Sequence, residues 1–160
     1  MSNESSFSGP YVNAALLCEK VLIEPGNVPT FVRVVDRFMV PKFSGPIPPG
    51  VQIPQQTLQV SLVVIVKSGD LGAGNFNVTI RLQKPDQTYV PDFPSSVFFN
   101  GGDDNGGMIV MPVNIVTPEA GLHWFDIVFE GVGLIARVPM RVLYQPVVLQ
   151  IQQPPPTEDH

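Results

Sequence analysis

Charge is the scarcest commodity in this chain. Only 9 Lys and Arg and 14 Asp and Glu occur among 160 residues, 14% in all, against about 25% in an average soluble domain. Three of the acids, Glu4, Glu158 and Asp159, lie in the terminal segments, so the body is nearly neutral. No Lys/Arg run tracks phosphates, so nucleic acid is not an expected partner. There is one cysteine, Cys18, which excludes an intrachain disulfide and a cysteine zinc cluster. Long apolar runs are missing too. The longest uninterrupted one, Leu62 to Val66, falls far short of the roughly 20 residues of a membrane helix, so no membrane partner is expected. The opening MSNESSFSGP has neither a basic nor an apolar signal region. A reducing, cytoplasmic location is the expectation that fits.

Proline and glycine are plentiful, 18 and 14 residues. Their share stays below the roughly 25–30% of a disordered chain, and 44% hydrophobic residues are enough for a core. One domain is expected over residues 10–150, with a flexible tail at 1–9 and a Pro-rich flexible tail at 151–160. Between the tails, short apolar runs alternate with Pro/Gly turns. That spacing predicts an all-β fold: a single antiparallel β-sandwich of about seven to eight strands, immunoglobulin-like or C2-like. Asn75 to Gln83 is the clearest strand, with Phe76, Val78, Ile80 and Leu82 on one face and Asn77, Thr79 and Arg81 on the other. Leu58 to Lys67, Met108 to Val116, Leu122 to Glu130 and Leu134 to Tyr144 follow the same logic. Pro112 and Pro139 mark edge strands or bulges. Tyr11 to Glu24 reads as a strand with a bulge near Cys18, followed by a turn and a β-rich run, Thr30 to Val40. A helix carrying Ala14, Leu17, Cys18, Val21 and Leu22 is the alternative for that first segment. Pro41 to Pro54 should be an extended, rigid connector.

Two blocks carry a family resemblance. AALLCEKVLIE, a turn and VRVVDRFMV resemble the opening hairpin of an uncharacterised family of small bacterial β-sandwich proteins. GLHWFDIVFEGVGLIARVPMRV is similar to that family's closing hairpin. Taken with the strands between, the resemblance spans residues 10–145. It implies a compact antiparallel sandwich. It implies no activity, because the family is a domain of unknown function, and no functional residue carries over.

Few residues suggest chemistry. In the loop Gly101–Gly107, Asp103, Asp104 and Asn105 offer oxygen ligands, and Asp86 and Asp92 precede it. Ca²⁺ takes six to eight oxygens, roughly, but the loop lacks the alternating acidic spacing of a calcium loop. A solvated turn is the plainer reading, and no cofactor is expected beyond that Ca²⁺ alternative. Asp36 lies in the run Thr30–Val40 on the face of Val32, Val34 and Phe38, so it must be paired or bonded, or the strand must bulge. A structural ion pair at Asp36 and Arg37 is expected, with Arg33, Arg137 or Arg141 as possible further partners. Cys18 and His123 would be the elements of a nucleophile and base, but no third group or oxyanion donor accompanies them. Trp124 and Asp126 fall opposite the face of Phe125, and Trp124, with Tyr89, Phe98 and Phe99, would form a stacking or docking platform if exposed, although a core position is the plainer reading. Val63 and Ile65 make one end of the strand at 58–67 apolar on both faces, which calls for a cover: a loop, a tail or another subunit. The expectation is therefore a non-catalytic interaction or structural module whose partner is a protein, with self-association through Val63 and Ile65. The alternative is a calcium- or carbohydrate-binding module using residues 101–107.

Overall fold

The computed structural model describes residues 9–102 and 105–148. The expected tails at 1–9 and 151–160 therefore lie, Gly9 apart, outside the described residues. Nine strands follow one another: β1 Tyr11–Glu24, β2 Val28–Val34, β3 Arg37–Ser44, β4 Thr57–Lys67, β5 Gly74–Gln83, β6 Phe93–Phe99, β7 Gly106–Val116, β8 Gly121–Phe129 and β9 Gly133–Val148. No helix occurs among the described residues, and none is long and apolar enough to cross a membrane. The strands form a four-stranded sheet, β2-β1-β4-β7, and a five-stranded sheet, β3-β9-β8-β5-β6. The arrangement is sandwich-like. The chain changes sheet five times: at Val35–Asp36, and then between β3 and β4, β4 and β5, β6 and β7, and β7 and β8.

Alternation decides what goes inside. Val78, Ile80 and Leu82 of β5 meet Phe125, Ile127 and Phe129 of β8 and the inner residues Leu62, Val64 and Val66 of β4 in one core. Phe76 lies 5.4 Å from Phe99 and 5.8 Å from Phe129, ring centre to ring centre. Such aromatic pairs add about 0.5–1.5 kcal/mol each to simple burial.

The structure adds to the strand plan in three places. Thr30–Val40 is two strands, because the chain leaves one sheet at Val35–Asp36 and enters the other at Arg37. Phe93–Phe99 is a further edge strand, although a Pro follows its first residue. These raise the count to nine from the expected seven to eight. The pairing is not wholly antiparallel either: β3 runs parallel to β9, from Arg37 beside Arg141 to Ser44 beside Val148. Consequently Pro41 to Ser44, expected in the connector, belong to a strand.

The prolines obey the hydrogen-bond rule. Pro112 sits on β7, the edge of its sheet. Pro139 sits where β9 has only β8 beside it, because β3 joins β9 from Arg141 onward. The bulge in β1 falls between Val12 and Ala14 rather than near Cys18. One glycine is obligatory on two counts. Gly69 has φ +55°, and a Cβ there would stand 1.9 Å from the Gly9 carbonyl oxygen.

Candidate functional site

The most distinctive surface is a ribbon formed by the ends of β1 and β2. β1 pairs with β4 only from Tyr11 to Cys18, and with β2 only from Cys18 to Glu24. Beyond Cys18 the hairpin therefore leaves the sheet and stands as a two-stranded arm. A two-stranded ribbon is marginal in water unless something packs on it. Facing residues in the register share a face. One face carries Lys20, Leu22, Glu24, Val28, Thr30, Val32 and Val34; the other carries Glu19, Val21, Ile23, Pro29, Phe31 and Arg33. Leu22 is 40% exposed, Val28 55%, Val34 58% and Ile23 56%. The arm's charges cancel, and Arg33 and Glu19 pair at 3.0 Å. Thr30 Oγ1 donates to Glu24 Oε1. The outer edge of β2 has no neighbouring strand among the described residues.

A second cluster occupies the outer face of the five-stranded sheet. Trp124 and Arg137 lie on neighbouring strands, with the guanidinium 4.7 Å from the Trp124 ring centre. Arg137 Nε donates to Asp126 Oδ1 at 2.6 Å, and its second arm donates to Gln83 Oε1 at 3.0 Å. Tyr89 OH donates to Asp126 Oδ2 at 3.3 Å. Asp126 is only 7% exposed, so these donors replace the water it loses. Trp124 is half-buried beneath Arg137, not an open platform. Of its expected companions, Tyr89 joins the same network, Phe99 is in the core and Phe98 is exposed on β6.

Asp36 and Arg37 lie 3.3 Å apart, but both are exposed. Asp36 is not on an inner strand face: it sits in the link between β2 and β3, and its carbonyl accepts a bond from the Arg141 N–H. Such an exposed pair contributes about 0–1 kcal/mol. The other candidate partners are committed elsewhere, Arg33 to Glu19 and Arg137 to Asp126.

Val63 is fully buried within one chain, and Ile65 is half-buried. The face expected to await a subunit is thus already closed at Val63. Cys18 is buried on the same side of the sheet, next to Ser61, and neither Val63 nor Cys18 belongs to the central core. Burial pushes the Cys18 thiol above its ordinary value. His123 faces the interior from β8 in the other sheet, so topology separates the two residues considered as nucleophile and base.

Asp103 and Asp104 lie outside the described residues. Asn105 is tied into its own loop: Nδ2 donates to the Gly101 carbonyl, and its carbonyl accepts the Ser68 N–H at 2.8 Å. Ser68 Oγ donates to the Gly102 carbonyl at 2.7 Å. Asp92 is paired with Arg81 at 3.2 Å. Asp86 caps the turn through Thr88, whose hydroxyl is the main reason its carboxyl lies below the usual value. Among the described residues no three His, Cys, Asp or Glu side chains converge as a metal would need.

The departure of the arm from the sheet was not legible in the sequence. Its one signal is that Leu22, Val32 and Val34 on one face and Val21, Ile23 and Phe31 on the other are all apolar, although both ends of the hairpin read as an ordinary strand pair.

No protein-family model matches the chain. No curated protein matches it either. Among solved structures, it is similar to part of the beta-glucosidase from Listeria innocua in complex with glucose, at 13% identity and a TM-score of 0.42 over 56% of this chain and 16% of that one. The same enzyme in complex with isofagomine gives 13% identity and a TM-score of 0.42 over 59% of this chain and 16% of that one.

Proposed function

We propose that this chain is a non-catalytic protein-interaction module, an immunoglobulin-like or C2-like sandwich, that self-associates through the β1–β2 arm. The observation that carries the reading is the arm itself, a two-stranded ribbon with apolar side chains on both faces that projects past the sheet. A second copy is the occupant that the charge pattern favours. Lys20 and Glu24 flank Leu22 on one face. Two arms laid antiparallel, face to face about a twofold axis at Leu22, bring Lys20 of each over Glu24 of the other. Isologous contacts of this kind close on themselves and stop at a dimer. Burying Leu22, Val28, Val32 and Val34 on both copies supplies the apolar area. A reducing, cytoplasmic setting suits the single thiol, Cys18, which the fold keeps buried.

Sedimentation equilibrium tests this. The wild-type chain should sediment as a dimer at high concentration. Leu22→Glu, which sets like charges against each other across the axis, should sediment as a monomer with its sheet content unchanged. A wild-type chain that stays monomeric, or a Leu22→Glu chain that stays dimeric, refutes the reading.

A further inference from the structure

A cavity of about 360 Å³ opens between the two sheets, away from the arm, where β5 ends at Gln83 and β7 at Val116. Its size falls in the range of small-molecule sites, about 300–1,000 Å³. Leu82, Phe93, Val113, Ile115 and Phe125 make its wall apolar. Of its polar side chains, Lys84, Asn114, Thr117, Glu119 and His123, only His123 is buried. His123 is 1% exposed, and its Nδ1 has no hydrogen-bond partner. Buried polar atoms are nearly always paired, so an orphan at the wall of a cavity is a candidate contact for a molecule held there.

We propose that this cavity is a binding site for a small uncharged molecule, largely apolar, that donates one hydrogen bond to His123 Nδ1.

Three observations define that chemistry. First, the rim charges are already spent on one another. Lys84 Nζ lies 3.2 Å from Glu119 Oε1 and 3.8 Å from Asp86 Oδ2, so neither sign is left to hold an ionic ligand. Second, burial holds His123 below the ordinary imidazole value, which favours the neutral ring. A neutral imidazole has one N–H and one lone pair. The Gly121 and Met140 carbonyls lie near the ring as acceptors. With the N–H on Nε2, the orphaned Nδ1 is the lone-pair nitrogen and seeks a donor. Third, apart from the exposed Asn114 and Thr117 and the paired rim charges, the wall is apolar, so a hydroxyl on a hydrocarbon or aromatic frame fits better than a sugar, whose many hydroxyls would lose their water without replacement. This site is independent of the arm and of self-association.

Two matched probes test it: 2-naphthol, which carries a hydroxyl donor, and 2-methoxynaphthalene, which keeps the ring and lacks the donor. Each is titrated into the full chain, with binding read from chemical-shift changes in an amide NMR spectrum. The wild type should bind 2-naphthol about tenfold more tightly than its methyl ether, the scale of one buried hydrogen bond. His123→Phe should bring the two affinities together. Ile115→Trp, on the edge strand β7, fills the cavity from the other sheet and should abolish binding of both, with the sheet spectrum intact. The proposal is overturned if the wild type binds neither probe, if it binds both equally, or if a folded Ile115→Trp chain binds as the wild type does.

Discussion

Replacing Gly107 by alanine puts one methyl group where β6 and β7 come closest. A Cβ at that position would stand 1.9 Å from Val97 Cγ2, 3.3 Å from Val97 Cβ and 3.5 Å from the Phe98 carbonyl oxygen. Val97 is 4% exposed and sits in the core, so it has nowhere to turn. Overpacking of this kind costs about 1–3 kcal/mol. Against it, alanine in a strand regains about 0.5–1 kcal/mol over glycine, since its unfolded chain has less freedom to lose. The net loss should be about 1–2 kcal/mol. Val97→Ala alone deletes two buried carbons and leaves a small cavity, costing about 2 kcal/mol. In the double variant the offending Cγ2 is gone and the new methyl group occupies part of that cavity. The double variant should therefore be more stable than the sum of the single losses by about 1–2 kcal/mol. Urea unfolding followed by circular dichroism measures all four chains, with equal slopes as the condition for comparing midpoints. Unfolding of Gly107→Ala at the wild-type midpoint, or simple additivity of the two changes, would refute the close approach of β6 and β7.

Two further outcomes follow from buried polar groups. His123 titrates below the ordinary imidazole value because it is buried, so the unfolded chain takes up a proton at a higher pH than the fold does. Its contribution is complete above the ordinary imidazole value and is lost as the pH falls through the folded one; unfolding midpoints measured from about pH 7 down to about pH 5 should drop in the wild type and flatten in His123→Phe. Arg137→Ala removes the guanidinium from the ring of the chain's single tryptophan. The emission of Trp124 should shift to the red, and stability should fall by about 1–3 kcal/mol as Asp126 loses its charged donor; unchanged emission would show that Arg137 does not shield the ring.

The strands that read most plainly are those in which one side chain in two is apolar, such as β5 and β8, because a half-buried strand has a period of two. The split at Val35–Asp36 was hidden for the opposite reason. Val32, Val34, Phe38 and Val40 continue one alternating pattern, and Asp36, the residue that interrupts it, reads equally as a paired carboxylate within a single strand. The site residues were less legible still. Trp124 and Asp126 were expected on the outer face of their strand, but their partners Arg137, Gln83 and Tyr89 come from β9, β5 and the loop after β5. A register is needed to bring these together.

What the sequence determined by itself is local: extended segments, turns at Pro and Gly, and a near-neutral body without basic clusters. Each of these follows from backbone preference or from a residue's own solvation. What only the tertiary structure decided is which surfaces remain uncovered. Apolar residues on both faces of the strand at 58–67 suggested an uncovered face at Val63, yet Val63 is closed within the chain. Apolar surface is left uncovered on the arm, because β1 parts from β4 at Cys18, and around the cavity that His123 lines, where β5 and β7 end. Exposure depends on what packs against a residue, and that is settled by contacts between segments far apart in the chain.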